Sequence, residues 1–242
     1  MRRCAFSTRL LALSVSLALG ARGALAAPPA PVNLEGVWKI AKPTSTLRPA
    51  SGSVPFTPAG LQRYEENQQL KARGDYDDYD IATSRCSNPG VPRLMLTPKR
   101  FKIWQRLGVV TFDYEWNRAI RQIDTGGVPR DPDPMGSFLI PSTTGDSVGH
   151  WEGTTLVAQT TNLSDRNLID ELVPYTQDVK ITERLRLIHR DTLEDQITIE
   201  DPAYFTRPWT GTVTYKRQPA ALFPEDVCLD RLEAHQPTWP SS

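Results

Sequence analysis

Alternation between apolar and polar residues is the feature that most constrains this fold. Along most of the chain, short segments alternate at every second residue, as strands with one buried face do, and turn residues separate them. The segments typical of strands are 34–40, 102–105, 109–114, 118–123, 156–160, 179–188, 196–200 and 209–216. Successive segments of this length predict an antiparallel meander. We therefore predict an all-β fold, either a lipocalin-like barrel or a strongly curved sheet.

One segment departs from this pattern and predicts a single short helix. Its core is Leu61 to Leu70, with Thr57 as the N-cap and Pro58 at the first helical position. The apolar stripe is thin, so we expect the helix to lie on the barrel surface or across one end.

The N-terminus is typical of a cleaved signal peptide. Three arginines precede an apolar run from Leu10 to Leu19, which is too short for a permanent membrane anchor, and small residues follow at Ala24 and Ala26. We predict a signal peptide at 1–26, one barrel-like domain at 32–232 and a flexible tail at 233–242. The protein would then be periplasmic or secreted, with no stable membrane insertion after cleavage.

Two cysteines, Cys86 and Cys228, belong to the predicted mature chain. In an oxidising compartment an isolated pair favours one disulfide, which would restrict the unfolded chain by roughly 5 kcal/mol for a loop of this length. The alternatives are two free thiols, or a reactive Cys86 thiol beside the basic Arg85.

Charge and motif content exclude several function classes. The chain carries 28 basic and 28 acidic residues, with no basic stretch interleaved with aromatics, so nucleic acid is not expected as a partner. The three histidines are far apart in the sequence, which argues against a zinc site. Nucleophile-elbow, phosphate-loop and dinucleotide motifs are absent from the sequence. We expect neither a metal nor a cofactor, and the sequence leaves the oligomeric state open.

Three motifs resemble a family of secreted bacterial proteins that is largely uncharacterised. They are S-x-G-x-W-E-G-x-T-L-V at 147–157, T-E-R at 182–184 and the pattern D-P-x-x-Y-T-R-P-W beginning at Asp201, where this chain has Phe205 at the tyrosine position, with the step Gly90 to Arg93 before them. The resemblance covers most of the mature chain and implies a compact secreted β fold without an established reaction. A weaker similarity to lipocalin-like barrels lies in the Gly-x-Trp at Gly36.

Departures from the family pattern limit what can be transferred. Similar proteins often carry histidine where this chain has Asp146 and Tyr175, and aspartate where it has Gln159. If those groups are functional in the family, this chain has lost or replaced them. His150 stands where many similar proteins have arginine, so it inherits no role from them.

Glu183 is the strongest candidate for chemistry. It shares a strand face with Ile181 and Leu185, and a carboxylate on an apolar face is costly unless it is paired. Glu183 would therefore either meet a buried arginine as a structural bridge or have a raised pKa suited to acid/base work. His150 is the candidate general base. Its alternative role is that of an ordinary strand residue before the turn at Gly153, where we expect a positive φ.

A second candidate group is aromatic. Tyr114, Trp116 and Arg118 share a predicted strand face with Phe112 and Ile120, which gives an aromatic wall with one cation. Such a wall suits a planar ligand whose carboxylate or phenolate would bind an arginine, but an ordinary aromatic core fits it equally well.

The remaining candidate ligand-binding residues are Arg121, Asp201, Arg207 and Trp209. Arg121 is the alternative to Arg118 as the partner of an anionic ligand group. Asp201 is in register with the apolar residues of its strand, although it also begins a turn.

Two functions from different classes fit these residues. The first is a cofactor-free lyase or isomerase that acts on a small aromatic or apolar compound, with Glu183, His150 and Tyr114 as catalytic residues. The second is a non-catalytic periplasmic binding or carrier protein for such a ligand. A third possibility, a structural or interaction module, would have a filled barrel without a cavity.

Overall fold

The alternating segments form nine strands in the part of the chain that the structure describes. The structure is a computed structural model, and it describes residues 31–50, 52–126, 141–219, 223–236 and 238. The strands are β1 Gly36–Ile40, β2 Phe101–Arg106, β3 Val109–Tyr114, β4 Ile120–Asp124, β5 Asp146–Glu152, β6 Thr155–Thr161, β7 Lys180–His189, β8 Thr192–Glu200 and β9 Trp209–Gln218. Each strand pairs with the next, and β9 pairs with β1 through Trp38 and Arg217, so the sheet closes into a barrel. This confirms the predicted all-β barrel.

One junction of the barrel differs from the others. Strands β4 and β5 run parallel and pair only at Ile123 with Ser147 and at Asp124 with Val148. The other neighbouring strands are antiparallel. This parallel junction therefore has the fewest paired residues of any junction in the barrel. A long connection joins its two strands.

Large aromatic side chains fill much of the barrel interior. Trp38, Phe101, Phe112, Tyr114 and Tyr215 are all buried. The Phe101 ring contacts the Tyr215 ring edge to face, with 4.9 Å between the ring centroids. It stacks against the Phe112 ring at a centroid distance of 5.8 Å. Such contacts add to the burial energy of these side chains, so the aromatic content of β2, β3 and β9 stabilises the core.

Three α-helices lie outside the barrel wall among the described residues: α1 Pro58–Arg73, α2 Ile81–Arg85 and α3 Cys228–Glu233. The Thr57 side chain accepts a hydrogen bond from the Gly60 amide at 3.1 Å, and Gly74 ends α1 in the left-handed conformation. This confirms the predicted cap and start of α1. The other two helices are about one turn long, too short for a sequence period to reveal them.

A disulfide joins the helical segment to the C-terminal region. Cys86 follows α2, Cys228 begins α3, and their sulfur atoms are bonded, which confirms the predicted pairing. Thr238, within the predicted tail, is buried, and its carbonyl accepts a hydrogen bond from Trp116 Nε1 at 3.1 Å.

The predicted signal peptide lies outside the described residues, and the domain limits stay a prediction. In the described part of the chain, none of the helices combines the length and the apolar character needed to cross a membrane.

The aromatic wall predicted on one strand face does not form as expected. Asn117 and Arg118 both have a φ of 48°, so the chain turns after Tyr114 and β4 begins only at Ile120. The turn changes which residues of the following strand point into the barrel and which point outward. As a result Ile120 is exposed, whereas Arg121 points into the barrel.

Candidate functional site

A buried ion pair crosses the interior of the barrel. Alternation on β4 turns Arg121 inward, and alternation on β7 does the same for Glu183 between Ile181 and Leu185. Arg121 Nη1 donates to Glu183 Oε1 at 2.8 Å, and Nη2 donates to the second carboxylate oxygen. This bidentate geometry is the strongest form of an arginine–carboxylate contact. Of the two alternatives for Glu183, the structure contains the bridge to a buried arginine.

Two hydroxyl groups complete the contacts of the arginine. Arg121 Nη2 also donates to Thr160 Oγ1 at 3.0 Å and to Ser147 Oγ at 3.3 Å, and the two hydroxyl oxygens are 2.8 Å apart. Burial alone would disfavour the charge of Arg121, but Glu183 outweighs it and the pKa of the guanidinium is raised. Arg121 therefore stays charged inside the core.

Asp195 is a second carboxyl group beside this pair. Inward alternation on β8 buries it completely, and neither of its oxygens accepts a hydrogen bond from a donor in the described chain. Burial, and then the neighbouring Glu183 carboxylate, raise the pKa of Asp195 well above its usual value, while Arg121 acts in the opposite direction. Both effects favour the protonated form of the Asp195 carboxyl, and a carboxyl that carries a proton can donate a hydrogen bond to Glu183, which only accepts.

Sequence reasoning missed Asp195, although the signal was present. The residue alternates in phase with Leu193, Ile197 and Ile199, by the same logic that selected Glu183. The predicted strand began at Gln196, four residues after the observed start at Thr192 and one residue after Asp195. A predicted strand that began closer to the preceding turn would have included Asp195. Both inward carboxyl groups, Glu183 and Asp195, would then have been found.

A pH-dependent stability difference should reveal the proton on Asp195. Its folded-state pKa lies above the unfolded value of about 3.9. Ionisation therefore costs stability as pH rises from there towards the folded pKa. Asp195→Asn removes this cost while an amide replaces the carboxyl, so the stability advantage of the variant over the wild type should grow by up to about 1.4 kcal/mol per pH unit between the unfolded and the folded pKa of Asp195. Urea denaturation at several pH values measures this gain.

The control for this measurement is Asp178→Asn. Asp178 is exposed on the connection before β7, so its removal should leave the pH dependence unchanged. Parallel pH profiles of Asp195→Asn and the wild type would show that Asp195 is ionised in the folded protein.

Two tyrosines bound the polar cluster. Tyr114 Oη donates to Met95 Sδ at 2.9 Å, and Tyr215 Oη donates to the Met95 carbonyl at 2.9 Å. Burial raises the pKa of both hydroxyls. Met95 belongs to the 3₁₀ turn Arg93–Leu96, which inserts into the barrel. Both phenols are thus fixed as neutral donors to one residue.

The barrel interior around this cluster is packed. Tyr114, Glu183, Asp195 and Tyr215 have no exposed area, and Arg121 has 1%. A void large enough for water would leave accessible area on the side chains around it. The predicted hollow for a guest is therefore occupied by protein side chains next to these residues.

His150 lies away from this cluster. Alternation on β5 turns it to the outer surface, where its side chain is 65% exposed and its Nε2 is 3.2 Å from Glu152 Oε1. Arg184 binds the other oxygen of Glu152 at 2.7 Å. The structure does not bring His150 and Glu183 together. Gly153, at the turn that follows, has the expected positive φ of 59°.

The remaining predicted ligand-binding residues are scattered. Trp116 is buried near the C-terminal segment, and Arg118 lies at the surface, where its Nη2 donates to Asp113 at 2.7 Å. The carboxylate of Asp201 accepts from the Thr176 amide at 2.7 Å and the Ala203 amide at 3.1 Å.

Arg207 and Asp201 line a small cleft of about 250 Å³. Trp209 is buried at the start of β9, with its ring against that of Phe205. These positions do not converge with the interior cluster on one site.

A cleft of about 560 Å³ lies outside the barrel wall. Its lining residues come from the stretches 77–81, 165–168 and 174–176, together with Arg63 of α1 and Tyr204. Ligand sites commonly have volumes of 300–1,000 Å³. These stretches are far apart in sequence, so alternation within strands gave no signal for the cleft.

Buried polar contacts hold two walls of this cleft in place. Arg93 binds the Asp80 carboxylate through both terminal nitrogens, at 2.6 and 2.9 Å, which anchors the stretch 77–81. On the other side, the Asp201 carboxylate holds the Thr176 amide. The cleft is therefore formed by anchored segments.

Tyr175 is the notable group in the cleft. Its side chain is 2% exposed, and its hydroxyl has no hydrogen-bond partner in the part of the chain that the structure describes. Burial, with a further contribution from the Asp165 carboxylate, raises the pKa of this hydroxyl, and the nearby Asn167 amide opposes the shift. The amide nitrogen of Asn167 is likewise unpaired. A neutral phenol thus lines the cleft, with its hydroxyl beside the Asn167 side chain but without a well-formed hydrogen bond to it.

Comparison with known proteins identifies no family for this chain. No protein-family model matches the chain, and no curated protein is significantly similar to it.

Proposed function

We propose that this protein is an exported, non-catalytic β-barrel protein that binds a small aromatic or apolar molecule in the 560 Å³ cleft outside the barrel. The observation that carries the proposal is the buried, unpaired hydroxyl of Tyr175. Buried polar groups nearly always have a partner, so a hydroxyl without a well-formed one in the wall of a cleft supports a polar contact with a ligand, for which the wall has to open at this buried atom.

The packed interior argues against a ligand inside the barrel. A filled barrel is the outcome expected for a structural module, and it leaves no space for a ligand beside Glu183. The outer cleft supports a binding function at a different place, because it has a suitable volume and a mostly polar surface that also includes the apolar residues Ile81, Leu168 and Pro174. Export rests on the signal-like N-terminus, and the disulfide is compatible with an oxidising compartment.

The second candidate function is the cofactor-free lyase or isomerase with Glu183 and Tyr114 as its acid/base residues. Asp195 favours it, because a buried carboxyl group with a raised pKa lies next to Glu183. The bidentate contact with Arg121 weighs against it, since it occupies both oxygens of the base. A substrate would also have to displace packed side chains.

The proposal predicts opposite effects of Tyr175→Phe on binding and on stability. A lost hydrogen bond to the ligand should weaken binding about fivefold, which corresponds to ~1 kcal/mol. Stability in the absence of ligand should be unchanged or slightly higher, because the hydroxyl has no partner to lose. Ligand-observed NMR with a library of small aromatic amines, carboxylic acids and amino acids measures binding, and urea denaturation measures stability.

Tyr64→Phe is the matched control. Tyr64 lines a separate cleft of about 510 Å³ near Phe56 and Val54, so its variant should bind library compounds like the wild type. The proposal fails if no compound binds, or if every bound compound has the same affinity for wild type, Tyr175→Phe and Tyr64→Phe.

A further inference from the structure

We infer that the 560 Å³ cleft selects molecules that carry both an ammonium and a carboxylate group on an apolar, aromatic-sized body. Aromatic amino acids are the simplest members of this class. The inference rests on the proposed function and adds the charge pattern of the ligand to it.

The charges that line the cleft divide into compensated and uncompensated groups. Arg63 is paired with Glu66 at 3.2 Å, and Asp77 is paired with Arg85 at 2.8 Å. These two lining charges have local partners and need none from a ligand.

Three lining charges make no ion pair among the described residues: Asp78, Asp165 and Arg166. Asp165 accepts only a neutral amide, that of Gln177, at 3.3 Å. The cleft thus offers two carboxylates and one guanidinium that make no direct ion pair, although Arg85 lies close enough to Asp78 to interact with its charge. A ligand of a single sign would leave one sign of this set without a counter-charge, whereas a zwitterion compensates both.

The apolar part of the ligand has a surface to contact. Ile81, Leu168 and Pro174 line the cleft together with Tyr79 and Tyr204. Aromatic rings also attract an ammonium group through their faces. The Tyr175 hydroxyl, buried in the wall of the cleft beside Asn167, becomes a donor for a ligand oxygen where the wall opens at this atom.

A matched set of three compounds tests the charge pattern. Phenylalanine carries both charges, phenethylamine only the ammonium, and 3-phenylpropionate only the carboxylate, on the same ring. By isothermal titration calorimetry at pH 7, phenylalanine should bind about fivefold more tightly than either of the others, as expected for one extra exposed ion pair.

Two variants assign the groups. Asp78→Asn should weaken phenylalanine and phenethylamine about threefold and leave 3-phenylpropionate unchanged. Arg166→Gln should weaken phenylalanine and 3-phenylpropionate and leave phenethylamine unchanged. Glu65→Gln on α1 and Lys39→Gln on β1, which are outside the lining of the cleft, are the controls for charge and should alter none of the affinities.

The outcomes separate this inference from the proposed function. If phenethylamine or 3-phenylpropionate binds as tightly as phenylalanine, or if none of the three binds while other library compounds bind in a Tyr175-dependent way, the zwitterion inference is wrong and the binding function stands. If no library compound binds either, both are wrong. Binding of phenylalanine that neither Asp78→Asn nor Arg166→Gln weakens also overturns the inference.

Discussion

Replacing Arg121 by methionine is expected to lower the free energy of unfolding by about 3–5 kcal/mol, the usual cost of breaking a buried ion pair from one side. The substitution leaves Glu183 fully buried with no cation, because its bidentate partner is gone. It also removes the donor that Thr160 and Ser147 share. Urea denaturation at pH 7 measures the loss.

A double variant distinguishes an unpaired charge from a simple packing defect. In Arg121→Met with Glu183→Leu, both charges are replaced by apolar groups of similar size, which is often neutral or stabilising at buried pairs. Most of the lost stability should return. If the double variant is as unstable as Arg121→Met, poor packing rather than the unpaired carboxylate explains the loss.

An exposed pair on the same barrel provides the control. Arg186 and Glu194 pair across β7 and β8 at 2.7 Å on the outer face. Arg186→Gln should cost less than about 1 kcal/mol, because solvent screens the pair. A loss of similar size for Arg121→Met would contradict the buried-pair account.

Removing the disulfide by Cys86→Ala with Cys228→Ala is expected to cost about 2–5 kcal/mol. The bond spans a sequence separation of 142 residues and closes the unfolded chain into a long loop. Its loss therefore increases the conformational entropy of the unfolded state. Both cysteines lie outside the barrel, so the strands themselves keep their contacts. Urea denaturation of the variant and of the wild type, each with and without reductant, measures the effect.

The reduced wild type serves as the reference. It should match the double alanine variant within the error of the measurement, and reductant should not change the variant further. A difference below about 1 kcal/mol between oxidised and reduced wild type would show that the unfolded chain is already compact, so that the bond restricts it little.

Strand alternation allowed the barrel and its inward carboxylate to be predicted, because both depend on local periodicity. The positions of Glu183 on β7 and of the helix cap at Thr57 follow from a few neighbouring residues. Asp195 was accessible to the same reasoning and was missed only because the predicted strand began at Gln196, one residue after it, instead of at Thr192.

Other features depend on information that local periodicity does not contain. The two left-handed residues Asn117 and Arg118 shift the register of β4, and no alternation pattern reveals such a turn. The cleft around Tyr175 joins segments that meet only in the folded chain. Likewise, that Arg121 rather than Arg118 meets Glu183 follows from the register of β4, which the turn sets.

Closure of the ring between β1 and β9 has a consequence for how the chain folds. Trp38 pairs with Arg217, near opposite ends of the described sequence, so this contact has a very large separation along the chain. Hairpins such as β7 with β8 involve neighbouring residues and form early, whereas the ring waits for its last strand. During synthesis from the N-terminus, β1 therefore lacks one of its two neighbours until nearly the whole polypeptide has emerged.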